Sequence, residues 1–229
     1  TFKTSGPTVL NHFTGLHENK NLMNSYNIWY NKINSYYLPM DNHVTVVTGL
    51  FNINREQLGD GRKWNDYLLW FTQTLRLNVP MVVFCEKDTY DKIKNVRKNY
   101  PLTHYIIKDR NNLFYMKYKN KVSEIVKNEE YRKKIKGVNR LEVKHPVYNL
   151  IIMNKFKFLK EAAHKNYFNS KQFLWVDAGC SRFFEDYKLE QLQKWPNTNK
   201  LKENKLNIQI KSSLIKSNLN FDEMIYECD

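Results

Sequence analysis

The sequence predicts an α/β protein built from βαβ units, and three observations lead there. Short apolar runs, the first two rich in β-branched residues, recur at Val44–Thr48, Met81–Cys85, Thr103–Ile107 and Phe173–Val176. Between the first two, aromatic and aliphatic residues fall at helical spacing. Strand, helix and strand then occupy about forty residues, the size of a right-handed βαβ unit. The strand-like runs also end in polar or charged residues while their interiors are apolar. Open α/β sheets bind ligands just outside the carboxyl ends of their strands, so a site is expected there.

A chain of 229 residues with 41% hydrophobic and 26% charged residues has the composition of one large globular domain. No apolar run is long enough to cross a bilayer, and no signal peptide is read at the start. The first residue is Thr, so the natural start is expected to lie upstream. Cys85, Cys180 and Cys228 are odd in number and widely spaced, against a disulfide framework or a zinc knuckle and in favour of a reducing, cytoplasmic compartment. The net charge of +14 implies a polyanionic partner: nucleic acid, an anionic membrane surface or a phosphorylated small substrate. Lysines are nonetheless spread over the whole length alongside abundant Asn, Ile and Tyr, as genomic base composition alone can produce.

Taken in order, residues 1–42 show no sustained period and read as an arm packed on the domain, with His12 and His17 as solvated histidines. The first strand breaks at Gly49, a turn, followed by the loop Leu50 to Arg55. Trp64, Tyr67, Leu68, Phe71 and Leu75 predict an amphipathic helix over 63–77 whose aromatics are core. After the second strand, Asp88 reads as the N-cap of a helix over 89–99, stopped by Pro101. Residues 111–143 are dense in charges of alternating sign and predict an exposed, basic helical insertion. His145-Pro146 opens a long helix in which Tyr148, Ile151, Ile152, Lys155, Phe156, Leu159 and Ala163 keep helical spacing. Lys155 lies among the apolar positions. Its ammonium either snorkels to water or reaches a site beside the sheet.

The last apolar run, Phe173-Leu174-Trp175-Val176, predicts a strand buried on both faces and leads into Asp177-Ala178-Gly179. An ionised Asp there is costly unless donors, a cation or water receive it. Ala178 and Gly179 have no bulk, so a phosphate or metal could approach the backbone. A plain turn-capping Asp is the other reading.

The set His145-Pro146-x-Tyr148-Asn149, Lys155 and Phe173 to Gly179, with the stretch Val44 to Arg55, resembles the bacterial HtrL/YibB family over roughly residues 43–185. That family is regarded as glycosyltransferase-like. The resemblance implies a three-layer α/β/α GT-A-like sheet, mostly parallel, as a single domain over 43–229. It also implies transfer of a sugar from a nucleotide-diphosphate sugar to a glycan or other acceptor hydroxyl. Asp177 would stand where such enzymes keep an Asp-x-Asp motif, binding Mn2+ or Mg2+ that bridges the donor diphosphate. Contacts to the nucleotide sugar would come from Thr48, Gly49, Phe51, Asn52, Arg55, Lys155, Trp175, Val176, Ala178 and Gly179. Glu86, Asp88 and Asp109, at strand ends, would reach the base or ribose.

The chain departs from that pattern. Gly179 stands in the third position of Asp-x-Asp and offers no side-chain ligand, and no His follows His164. No Gly- and aromatic-rich segment follows Asp177, so the acceptor side is expected to be short, with Leu206–Ile210 as a further strand. Glu185 and Asp186 are the candidates for a general base, beside a plain surface role. No P-loop and no Gly-x-Gly-x-x-Gly follows any strand. A reading from a different class remains: a basic, non-catalytic protein of the same fold that recognises nucleic acid or an anionic glycan.

Overall fold

The computed structural model describes residues 44–58, 62–135 and 140–183. The arm over 1–42, the expected strand at 206–210 and Glu185 and Asp186 lie outside the described residues. Four strands form one parallel sheet: β1 (Val44–Leu50), β2 (Met81–Cys85), β3 (Thr103–Ile107) and β4 (Gln172–Trp175), in the order β3-β2-β1-β4. Parallel neighbours require crossovers, and here they are helical. Helix α1 (Trp64–Thr74) joins β1 to β2, and α2 (Lys87–Ile93) joins β2 to β3. The return to β4 passes through α3 (Lys119–Lys127), α4 (Glu129–Lys134), α5 (Leu141–Lys144) and the 20-residue α6 (Pro146–Lys165).

Side chains alternate across the strands, and the two faces bury different helices. On one face Val46, Leu50, Met81, Val83 and Cys85 pack with Phe71 of α1, Leu75 at its C-cap and Ile93 of α2. On the other, Val47, Val82 and Phe84 pack with Phe158 and Ala162 of α6. Phe158 stacks on Phe84 at 4.5 Å and on Phe51 at 5.5 Å between ring centroids. The described residues thus form three layers, helix on sheet on helix. After β3 the chain crosses back to the far side of β1, so the winding direction reverses between β1 and β4.

Local chemistry accounts for the element boundaries, including those the sequence pattern misplaces. Glycine 49 does not end β1; the strand runs on to Leu50. A Cβ at Gly49 would stand 2.8 Å from the Phe84 carbonyl oxygen, so glycine is needed for close approach of a neighbouring strand, not for a turn. Helix α1 starts where acids satisfy its first amides. Glu56 accepts from the Trp64 N–H at 2.9 Å, and Asp66 accepts from the Lys63 N–H at 2.9 Å. Asp88 is not an N-cap but lies in the first turn of α2, whose N-cap is Glu86. That helix ends at Ile93, well short of the expected 99, and Arg97 turns inward.

Arg97 is 2% exposed and donates to the carbonyls of Leu75 and Leu77 through one nitrogen (2.6 and 2.7 Å) and of Val79 through the other (2.7 Å). Its Nε donates to Thr103 Oγ1 at 2.8 Å. One planar guanidinium therefore satisfies the chain end of α1, the approach to β2 and the start of β3 together. Burial pushes its pKa down to about 10, still cationic at neutral pH.

The insertion over 111–143 is helical where described, as expected, but it is not merely solvated. Leu113, Val126, Leu141 and Val143 are buried. Pro146 occupies the first turn of α6, and Asn166 ends it in the left-handed region at φ 42°. Strand β4 is half-buried along its length, not buried on both faces, because among the described residues it pairs with β1 alone. Full burial begins one residue later, at Val176, whose N–H donates to the Val47 carbonyl at 2.9 Å.

Replacing Arg97 with Met should leave three buried carbonyls without their donor. At roughly 1 kcal/mol or more each, the loss should reach about 3 kcal/mol in urea denaturation. A loss below about 0.5 kcal/mol, the scale of a neutral surface change, would show that Arg97 is not the clamp described here.

Candidate functional site

The carboxyl ends of β1 and β4 face a cavity of about 150 Å3, at the position where the winding reverses. Each wall follows from the topology. A crossover helix runs antiparallel to the strands it joins, so its first turns lie beside the strands' carboxyl ends. Trp64 and Tyr67 from the start of α1, and Tyr148, Ile151, Ile152 and Lys155 from the first half of α6, therefore line the cavity. Gly49, Phe51, Ile53 and Arg55 follow from β1, and Asp177, Ala178, Gly179 and Arg182 from β4.

Lys155 is the second reading realised: its ammonium reaches inward. Its Nζ lies 2.7 Å from Asp177 Oδ1, with the two side chains 23% and 18% exposed. The same oxygen accepts the Trp175 indole N–H at 2.6 Å. Trp175 itself stacks beside Phe158 at 6.1 Å, so the carboxylate is oriented by a ring fixed in the core. Asp177 is thus received by two donors, as a carboxylate this deep requires. The segment after it is pinned to α1: Thr74 Oγ1 donates to the Ala178 carbonyl at 2.8 Å, and Ser181 Oγ to the Trp70 carbonyl at 2.8 Å.

The lining is mostly apolar, and its charged members are mainly cationic. Among the described residues, Arg55, Arg62, Lys155 and Arg182 line the cavity with one carboxylate, Asp177. Arg55 lies over the Tyr67 ring at 5.1 Å and the Tyr148 ring at 5.4 Å, so two aromatic faces hold it in place. Burial pushes the Tyr148 phenol up to about 12, Glu142 adds to the rise, and Arg55 opposes it. His145, at the N-cap of α6, is held below the ordinary imidazole range by burial and then by Lys144 and Arg55. Burial also pushes the Cys85 and Cys180 thiols up to about 12, so neither is a nucleophile at neutral pH.

Of the residues singled out in the sequence, Gly49, Phe51, Arg55, Lys155, Asp177, Ala178 and Gly179 meet in this cavity. Trp175 acts from behind, through Asp177, and Val176 is buried in the core. Thr48 is fully buried with no hydrogen bond to its hydroxyl. The three acids assigned to base or ribose contact do not line the cavity. Glu86 accepts from the Asn52 N–H at 3.1 Å and holds the loop after β1. Asp109 accepts from the Asn111 N–H at 2.8 Å, and Asp88 is exposed on α2. Sequence reasoning overlooked Arg62 and Arg182, and it took Trp64 and Tyr67 as core alone. For Trp64 and Tyr67 the available signal was their place in the first turn of the helix after β1.

A divalent cation needs several oxygen ligands. Asp177 is the one carboxylate lining the cavity among the described residues, and its Oδ1 is held by Lys155 and Trp175. No group of three or more His, Cys, Asp or Glu able to hold a metal occurs among the described residues. The described residues do not fit a divalent cation. They fit anionic oxygens.

No helix among the described residues is long and apolar enough to cross a membrane. In comparisons with known proteins, the model of the family described as bacterial protein of unknown function (HtrL_YibB) matches residues 42–225. No curated protein and no solved structure matches the chain.

A double-mutant cycle with Lys155→Met and Asp177→Asn should give a coupling of about 1–3 kcal/mol, the scale for a partly buried ion pair. Additive losses would show that the two do not act as a pair. In the folded protein at pH 8, iodoacetamide should modify neither Cys85 nor Cys180, as read by peptide mapping, and both should react after unfolding. Rapid labelling of either thiol before unfolding would contradict its burial.

Proposed function

The chain belongs to the HtrL_YibB family, and on that premise we propose that it is a glycosyltransferase using a nucleotide-diphosphate sugar. The observation that carries the proposal is the cavity where the winding reverses, lined among the described residues by four cationic side chains and one carboxylate. Doubly wound sheets hold nucleotides at that position in general. A GT-A-like arrangement is part of the same proposal, supported by the layered parallel sheet and by the placement of Asp177.

The chemistry follows from charge. An acceptor hydroxyl oxygen bonds to the anomeric carbon of the sugar, and the bond from that carbon to the diphosphate breaks. The electron pair leaves on the nucleoside diphosphate, and the hydroxyl proton passes to a base. Lys155 and the arginines around it stabilise the charge that develops on the leaving diphosphate. The guanidinium of Arg55 offers paired donors suited to phosphate oxygens. Tyr67, Trp64 and Tyr148 provide apolar walls against which a base or sugar ring packs. Asp177 sets the position of the Lys155 ammonium and is occupied in doing so. The base is left to Glu185 or Asp186, directly after the described segment.

An enclosed volume of about 150 Å3 is smaller than the roughly 300–1,000 Å3 of pockets that enclose a whole drug-sized ligand. The enclosed part therefore takes one group of the donor, and the rest lies along the open side.

A thermal-shift series with UDP, GDP, CDP and their sugars, each in EDTA and in Mn2+, tests the proposal. One nucleotide should stabilise the protein in EDTA. At about one hundred times its Kd the gain is about 2.7 kcal/mol. The gain should fall at least tenfold in apparent affinity in Lys155→Met, about 1.4 kcal/mol by the usual conversion. Stabilisation that appears only with Mn2+ would return the metal to the site. Silence towards every nucleotide, with oligonucleotide or anionic-glycan binding that falls steeply with salt, would favour the non-catalytic binder.

A further inference from the structure

A second cavity, of about 410 Å3, adjoins the first and shares Ile53 and Tyr148 with it. Its walls come from four places that the topology brings to the same end of the sheet. They are the loop after β1 (Asn54), the turn after β3 (Arg110), the first residue of α3 (Lys119) and the start of α6 (His145). Among the described residues, no Asp or Glu lines it. Arg110 has its carboxylate neighbour, Glu86, at 3.9 Å, too long for a hydrogen bond, so its charge is only loosely compensated. Asn54 takes a left-handed φ of 54°, held by Asn52 Oδ1, which accepts from the Asn54 N–H at 2.8 Å. The loop that forms this wall is therefore set and not merely exposed.

Resting on the glycosyltransferase reading of the first cavity, we propose that the second cavity is the acceptor subsite and that it selects an acceptor carrying an anionic group, a phosphate or a carboxylate. Transfer requires the acceptor hydroxyl to come within about 3–3.5 Å of the anomeric carbon. Two cavities that share Ile53 and Tyr148 lie side by side, as that demand requires; a site elsewhere on the surface would not meet it. The volume falls in the range that encloses a small organic ligand. The lining chooses its charge: Arg110 and Lys119 supply donors, and a carboxylate or phosphate is the group that pairs with them. Tyr148 stands between the two ligands and touches both spaces, while Arg55, held against its ring, belongs to the donor side.

The experiment uses the whole chain and follows NMR or calorimetric titration of inorganic phosphate and, separately, glucuronate. Each titration is run in the protein alone and with a saturating nucleoside diphosphate. The second anion should bind with the nucleotide in place. Its affinity should fall roughly tenfold or more in the Arg110→Gln/Lys119→Gln double variant, the effect of losing one or two charge-assisted hydrogen bonds. Nucleotide affinity in that variant should change by less than about twofold, since neither residue lines the first cavity. A response to phosphate alone or to glucuronate alone identifies which anionic group the acceptor carries. Mutual displacement of anion and nucleotide would overturn the proposal, since the two cavities would then be one site. So would equal loss of both in the double variant, or titration curves that the two substitutions leave unchanged. If no nucleotide binds but anion binding still depends on Arg110 and Lys119, the anion site stands and the glycosyltransferase reading fails.

Discussion

Parallel pairing on both sides of β1 is the constraint from which the rest of this structure follows. Parallel strands cannot be joined by tight hairpins, so every connection must cross a face of the sheet. Two crossovers place α1 and α2 on one face, and the return to β4 places α6 on the other. All four strands then end on the same side, and the cavity lies at the reversal between β1 and β4. Gly49 lets β2 come close enough to β1 for that pairing to hold to its last residue. Arg97 does the corresponding work at the opposite end, where the chain leaves α1 and enters β2 and β3.

The cavity collects charge because of where helices begin. Helix starts lie beside strand ends; the starts of α1 and α6 carry aromatic residues, and Lys155 reaches the cavity from the middle of α6. The single carboxylate there would be costly if alone. It is received by an ammonium from one layer and an indole from another, both on Oδ1. That arrangement ties α6 to β4, and Arg55, Arg62 and Arg182 line the same cavity. The proposed phosphate contacts rest on that concave, partly apolar setting. The adjoining cavity is lined by Arg110 and Lys119.

Much of this was legible in the sequence because it is local. The apolar runs at 44–48, 81–85 and 103–107 are strands, the last two within the bounds their patterns imply and the first running two residues further. Pro146 marks the start of α6, and Lys155 stands out as a charge among apolar positions. The misplacements have physical causes that no local pattern carries. Gly49 read as a turn because the Phe84 carbonyl that requires it is thirty-five residues away. Asp88 read as a cap because Glu86, two residues earlier, had no visible partner until Asn52 came beside it. Trp64 and Tyr67 read as core, and they do pack against it, but their helix begins at the cavity's edge.

By itself, then, the sequence determined the α/β class, the identity of the strands and the two residues, Lys155 and Asp177, on which the site turns. Hydrophobic periodicity is a property of neighbours along the chain, and a charge out of phase with it is visible there. The tertiary structure decided strand order, the position of the reversal and which cations share a cavity. It also brought the Lys155 ammonium against the Asp177 carboxylate. These depend on which strand lies beside which, a choice made by packing across the whole sheet, and no stretch of sequence contains it.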